Sequence, residues 1–209
     1  MGWLDFFSKK GKGAVEAKPQ PSKHFQTFLE QGKIELESRD FRKAADYFEK
    51  AITEGESMRE AGVQAAYVYK ARSFDGMKEY AESDKLYDRA FEMKPDDAFT
   101  WLMRGRSYEE QGMNEKAMRY YDKAFELNPM MEDPMLAKAA LYGRLGQQDK
   151  QKECYRRMLE ANPESIKARK YLERKEEEEK RKTNKQWLEG ITKRMELREG
   201  EKTDDEGAA

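Results

Sequence analysis

The sequence predicts an all-α fold of helix–turn–helix repeats stacked into a solenoid, closed by a C-terminal capping and extension helix. Three observations carry that prediction. Aromatic, small and apolar residues recur in fixed columns along the middle of the chain. Within each unit they are spaced by three and four, which places them on one helix face. Gly and Pro, the residues that end helices, punctuate the units.

The columns are anchored on the aromatics Phe48, Tyr87, Tyr121 and Tyr155. The first interval is 39 residues and the next two are 34 each. A small residue recurs as Gly32, Ala71, Gly105 and Ala139, with Phe28, Tyr67, Trp101 and Met135 four before it. Three after it stand Glu35, Phe74, Tyr108 and Tyr142. Large, small and large residues at this spacing form one face, and the small one lets a neighbouring helix approach closely. A second helix carries the aromatic column, then Ala51, Ala90, Ala124 and Met158, each followed by an apolar residue. Gly112 and Gly146 fall between the two helices, where the left-handed conformation ends the first. Pro95, Pro129 and Pro163 close three units and Glu56 the first. Ala44, Ala51, Ala90, Ala117 and Ala124 are therefore expected in the core.

These columns resemble the tetratricopeptide repeat, of period 34 and signature Trp, Leu-Gly, Tyr, Ala, Phe, Ala, Pro. The third unit is the best match, with Trp101, Gly105, Tyr108, Ala117, Tyr121, Ala124 and Pro129 in register. The first is degenerate, with Glu35 for the aromatic and Glu56 for the Pro, and extra residues around Met58 to Gly62. The resemblance implies a right-handed superhelical solenoid over 23–165, with repeats at about 25–58, 64–97, 98–131 and 132–165. It also implies that the first helix of each pair lines a concave groove. On that reading Leu29, Val68, Leu102 and Leu136 form an apolar row, and Lys33, Arg72 and Arg106 a basic row beside it. Such a groove suits an extended peptide with acidic groups and apolar anchors. The competing reading is that the bases pair within their own helices: Lys33 with Glu37, Arg72 with Asp75, Arg106 with Glu109 and Glu110. The family's clamp for acidic chaperone termini would need polar groups where Leu29, Tyr69, Phe99 and Met103 stand, so that function is not expected.

The two ends differ from the repeats. Residues 1–22 form a leader in which Trp3, Leu4, Phe6 and Phe7 precede Lys9, Lys10 and Lys12. Trp3, Phe6 and Phe7 read as a docking peptide, with weak membrane-surface contact through residues 1–12 as one form of it. For residues 166–200 the resemblance implies a capping helix, through Ile166, Tyr171 and Leu172, followed by a charged extension. Glu176–Lys180, Glu177–Arg181 and Glu178–Lys182 are acid-before-base pairs at i, i+4, each contributing about 0.2–0.5 kcal/mol to a helix. Beyond them Trp187, Leu188, Ile191 and Met195 form an apolar stripe that needs a partner surface: the solenoid, a second copy or another protein. Residues 201–209 read as a disordered acidic tail.

Composition narrows the function. Charged residues are 40% of the chain, against about 25% in ordinary proteins. Of the 44 residues from 166 on, 25 are charged. The signs nearly cancel, to a net charge of −1, which argues against nucleic acid as a partner. The single His24 and single Cys154 cannot build a Cys/His metal site, and the one cysteine fits a reducing, cytoplasmic setting. No phosphate-binding glycine loop occurs, and no carboxylate pair stands out. We therefore expect no enzyme, cofactor or metal. The expected function is a protein-interaction scaffold that binds a partner peptide or helix in the groove. The alternative is a self-assembling scaffold that forms homo-oligomers through the C-terminal amphipathic helix or the N-terminal aromatic segment.

Overall fold

The computed structural model describes residues 22–59 and 62–206, with side-chain environments up to Met195. The expected docking residues Trp3, Phe6 and Phe7, with the membrane contact through 1–12, lie outside the described residues, as do 207–209. Among the described residues the regular structure is nine helices. They are α1 (Lys23–Glu37), α2 (Phe41–Met58), α3 (Val63–Gly76), α4 (Tyr80–Met93), α5 (Ala98–Glu110), α6 (Asn114–Leu127), α7 (Asp133–Arg144), α8 (Gln148–Ala161) and α9 (Ile166–Glu206). They form an all-α helical repeat solenoid. Two compact units divide the chain at Glu79–Tyr80, the first holding α1–α3 and the second α4–α9.

In the first unit Ser22 caps α1 by accepting a hydrogen bond from the Phe25 N–H, and Asp40 caps α2 by accepting one from Lys43. Both satisfy donors that a helix start leaves open. Gly32 of α1 lies against the Phe48 ring of α2; a Cβ there would sit 2.5 Å from the ring. Phe48 is fully buried and stacks on Tyr69 of α3, with centroids 5.5 Å apart. Phe25, Ala51, Ile52, Val63 and Ala66 form the core, covered by Phe28, Leu29 and Tyr67. The extra residues of this unit lengthen α2: it runs 18 residues, where α4, α6 and α8 run 14. It ends at Arg59 in the left-handed conformation. Glu56, standing where later units carry Pro, accepts a hydrogen bond from the Tyr67 hydroxyl at 2.7 Å.

In the second unit the same arrangement recurs. Gly105 of α5 faces the Tyr121 ring of α6, and a Cβ there would lie 2.7 Å from it. Ala90, Ala117, Tyr87, Tyr121 and Ala124 are fully buried, as are Ala44 and Ala51 in the first unit. Phe91, Trp101, Tyr120 and Tyr108 follow one another with centroids 4.8–5.0 Å apart. The Trp101 indole N–H donates to the Pro95 carbonyl at 2.8 Å, tying α5 to the closing turn of the preceding helix. Phe125, Met135, Ala139, Cys154, Met158 and Ala168 form the last core cluster.

The turns follow one rule. Gly112 and Gly146 have φ of 75° and 70°, as expected for the residue that ends the first helix. Arg39 and Lys78 hold the same place with φ of 64° and 63°. The repeat therefore imposes the left-handed conformation even where a side chain makes it costly.

At the C-terminus α9 caps the second unit with Ala168 fully buried and Tyr171 and Leu172 half-buried. Ile166, expected to join them, is exposed. The helix passes the expected end at residue 200 and continues to Glu206, because one glycine costs a helix only about 1 kcal/mol. Glu178 turns back to Lys175 at 2.7 Å and Arg174 at 3.7 Å, and Glu179 pairs with Lys152 of α8. These replace the expected acid-before-base pairs; exposed pairs of near-equal worth exchange readily.

Two glycines test the close approach. Gly105→Ala forces a methyl into the Tyr121 ring and should cost about 1–3 kcal/mol. A Cβ at Gly143 meets only the end of the Gln151 side chain, at 2.8 Å. Gly143→Ala should therefore be neutral or stabilising by up to about 1 kcal/mol, from helix propensity alone. Urea unfolding of the two variants measures the contrast.

Candidate interaction face

The apolar row expected to line a groove turns largely inward. Val68 is fully buried and Leu102 is 2% exposed, while Leu29 and Leu136 are half-buried against the core clusters. The cause is helical spacing: Val68 and Leu102 stand three residues before Ala71 and Gly105, on the side that meets the next helix. Val68 and Leu102 are thus core residues, and neither presents a surface to a ligand.

The basic row divides. Lys33 donates to Glu30 at 2.8 Å and lies over the Tyr69 ring, 5.4 Å from its centroid. Arg72 lies 3.4 Å from the Asp75 carboxylate, which is buried. Both are held within the first unit. Arg106 of α5 is half-buried and forms no ion pair among the described residues. Neither of its expected partners, Glu109 and Glu110, pairs with it, and Glu109 is engaged elsewhere. Glu109 pairs with Arg144 of α7 and accepts a hydrogen bond from the buried Tyr121 hydroxyl. Burial, and then that bond to Glu109, raises the Tyr121 pKa far above its ordinary value and keeps the hydroxyl a donor. One turn back from the Glu109–Arg144 bridge stand Arg106 and the exposed Ala140 of α7.

The structure also places a set of charges that the apolar columns do not disclose. Lys70, Arg104 and Lys138 directly precede Ala71, Gly105 and Ala139 and share their 34-residue period. Each meets an acid on the preceding second helix. Lys70 pairs with Glu49 and lies over Phe74. Arg104 is 6% exposed; it donates to the Asp84 carbonyl at 3.1 Å and lies 3.2 Å from the Asp84 carboxylate. The Tyr87 and Tyr108 rings are 5.1 and 5.2 Å from that guanidinium. Lys138 donates to both Asp122 oxygens at 2.6 Å, and Arg157 reaches one of them at 3.2 Å. A search for charges at the repeat period would have found this column in the sequence.

The two residues of ordinary catalytic chemistry lie apart. His24 is on the surface, 3.9 Å from Glu54. Cys154 is in the core, where burial pushes its thiol up to about 11. Among the described residues no cluster of three or more His, Cys, Asp or Glu could hold a metal ion. No described helix is long and apolar enough to cross a membrane.

The Lys138–Asp122–Arg157 cluster generates an ordered prediction. Asp122→Ala strands the buried Lys138 ammonium and should cost about 3 kcal/mol or more. Lys138→Met leaves Asp122 with Arg157 and should cost less, about 1–2 kcal/mol. Chemical denaturation of both variants reads the order.

Residues 98–130 and 133–165 each match a model of the tetratricopeptide repeat. Among solved structures the chain is similar to a crystal structure of MamA, with a TM-score of 0.51 and 18% identity over 68% of this chain and 81% of that one. It is also similar to a tetratricopeptide repeat protein from Parabacteroides merdae ATCC 43184, with a TM-score of 0.52 and 18% identity over 71% of this chain. The match spans 57% of that second protein's length. No curated protein matches the chain in sequence. Likeness at this identity shows the fold, and the matched repeats coincide with α5–α6 and α7–α8. Proteins built of such repeats generally serve as non-enzymatic scaffolds that bind other proteins. Residues 98–165 of this chain thus carry two tetratricopeptide repeats, α5–α6 and α7–α8.

Proposed function

We propose that the chain is a non-enzymatic scaffold that holds an acidic peptide or helix of a partner protein against its first helices, with α5 and α7 as the principal site. We include α1–α4 in the proposal as two further repeats. The observation that carries it is Arg106. A half-buried guanidinium has lost part of its hydration, and the nearby acid that could compensate it is bound to Arg144 and Tyr121. A partner carboxylate would supply the missing charge in a bidentate hydrogen-bonded pair. The exposed Ala140 beside it leaves room for a backbone to approach. Lys33 and Arg72 contribute less, because Glu30 and Asp75 already neutralise them. Neither nucleic acid nor a small-molecule substrate enters the proposal, which is set in the cytoplasm.

A second reading is self-assembly into a homo-oligomer through the C-terminal helix. It is favoured by the exposure of Trp187, Leu188 and Met195.

Arg106→Glu tests the groove. Partner capture from native lysate should be lost with only a small drop in melting temperature, since no ion pair is broken and the new carboxylate merely adds a like charge beside Glu109 and Glu110. Undiminished capture by that variant would refute the site. Arg72→Glu should instead lower stability, because it sets two carboxylates together around the buried Asp75.

A further inference from the structure

Among the residues of α9 whose side chains are described, the packed ones lie in its first half. Tyr171 stacks on Tyr155 with centroids 3.8 Å apart, and Lys152 pairs with Glu179. From Lys180 to Met195 every residue is exposed except Ile191, which is half-buried. Trp187, Leu188 and Met195 are 62%, 57% and 58% exposed. At 3.6 residues per turn these three and Ile191 fall within an arc of about 100° on one side of the helix.

Charge along this free helix is split between two runs. Residues 180–195 carry six bases against Glu189 alone. Residues 196–206, still helical, carry six acids against two bases. An antiparallel pair of such helices is self-complementary; a parallel pair is not.

We propose that α9 pairs with α9 of a second copy, antiparallel, with Ile191 of one copy against Met195 of the other. The inference rests on the self-assembly reading and is independent of the groove around Arg106. In this register the run 180–185 lies alongside 201–206 of the second copy. Lys180, Arg181, Lys182 and Lys185 then accompany a stretch whose sequence holds four acids and one base. Two-fold symmetry forms the arrangement twice. Ile191 and Met195 of both copies supply the apolar centre of the seam, with Trp187 and Leu188 flanking it, and the opposite charges fix orientation and register, as flanking charges do in coiled coils. The 27 residues from 180 to 206 are about 40 Å long, which leaves room for charged arms on both sides of the seam. An anionic lipid surface fits less well, because the same helix continues in sequence into the acidic run.

Light scattering and sedimentation of the full chain, from micromolar to sub-millimolar concentration, test the pairing. The expected result is a dimer that dissociates on dilution and with added salt. Ile191→Glu should give a monomer of unchanged helix content, since Ile191 lies beyond the stretch of α9 that packs on α8. Arg181→Glu with Lys182→Glu should weaken the dimer about tenfold or more, and so should Asp204→Lys with Asp205→Lys. All four changes in one chain should restore it. A monomer throughout would overturn the proposal, as would a dimer that Ile191→Glu leaves intact or that the four changes fail to restore. Monomers that co-sediment with phosphatidylserine-containing vesicles would assign the stripe to lipid and equally overturn it. Capture of a partner by the Arg106 site is unaffected by any of these outcomes, so the two readings fail separately.

Discussion

The pairs α1–α2 and α5–α6 depend on the space left where a side chain is absent. Gly32 receives the Phe48 ring and Gly105 the Tyr121 ring, both closer than any Cβ would allow. That contact sets the distance between paired helices, and the distance buries the aromatic column and the alanines around it. The Tyr121 hydroxyl, carried past the glycine, then reaches Glu109 and fixes the carboxylate that would otherwise neutralise Arg106. That Arg106 has no ion pair among the described residues is thus a consequence of core packing.

The charges next to the small column give the stack its register. Burying Arg104 or Lys138 gains little over burying an apolar residue of like size, because desolvation offsets the attraction. A wrong neighbour, however, would leave a buried cation without its acid. Lys70 with Glu49, Arg104 with Asp84 and Lys138 with Asp122 repeat one arrangement at one period. Apolar columns alone specify that helices stack; these pairs specify which faces meet.

Much of the fold was legible because its causes are local and periodic. The small, aromatic and alanine columns and the glycine turns follow from spacing and backbone chemistry, and the capping role of the last helix follows from the family resemblance. What was not legible depended on competition. Arg39 and Lys78 adopt the left-handed conformation because tertiary packing outweighs their preference. The extra residues of the first unit join α2, since a helix can absorb a turn without moving its buried face. Gly200 does not stop α9. At the candidate site, Val68 and Leu102 read as groove residues from the family's pattern, yet their i, i+3 relation to the small column already pointed to the core. Which acids would engage Lys33, Arg72 and Arg106 turned on side-chain geometry that spacing does not fix. The charged column at Lys70, Arg104 and Lys138 was present in the sequence at the repeat period, hidden because periodicity was sought among apolar residues.

The central claim is that the chain joins packed repeat units to a helix whose residues 180–195 have no packing partner among the described residues. Amide hydrogen exchange, followed at dilute and at high protein concentration, tests it most directly. The account predicts slow, concentration-independent exchange in α5–α8 and the first half of α9, with residues 180–206 exchanging fast when dilute and slowly when concentrated. Protection of 180–206 that is strong and equal at both concentrations would contradict it, as would fast exchange throughout α5–α8.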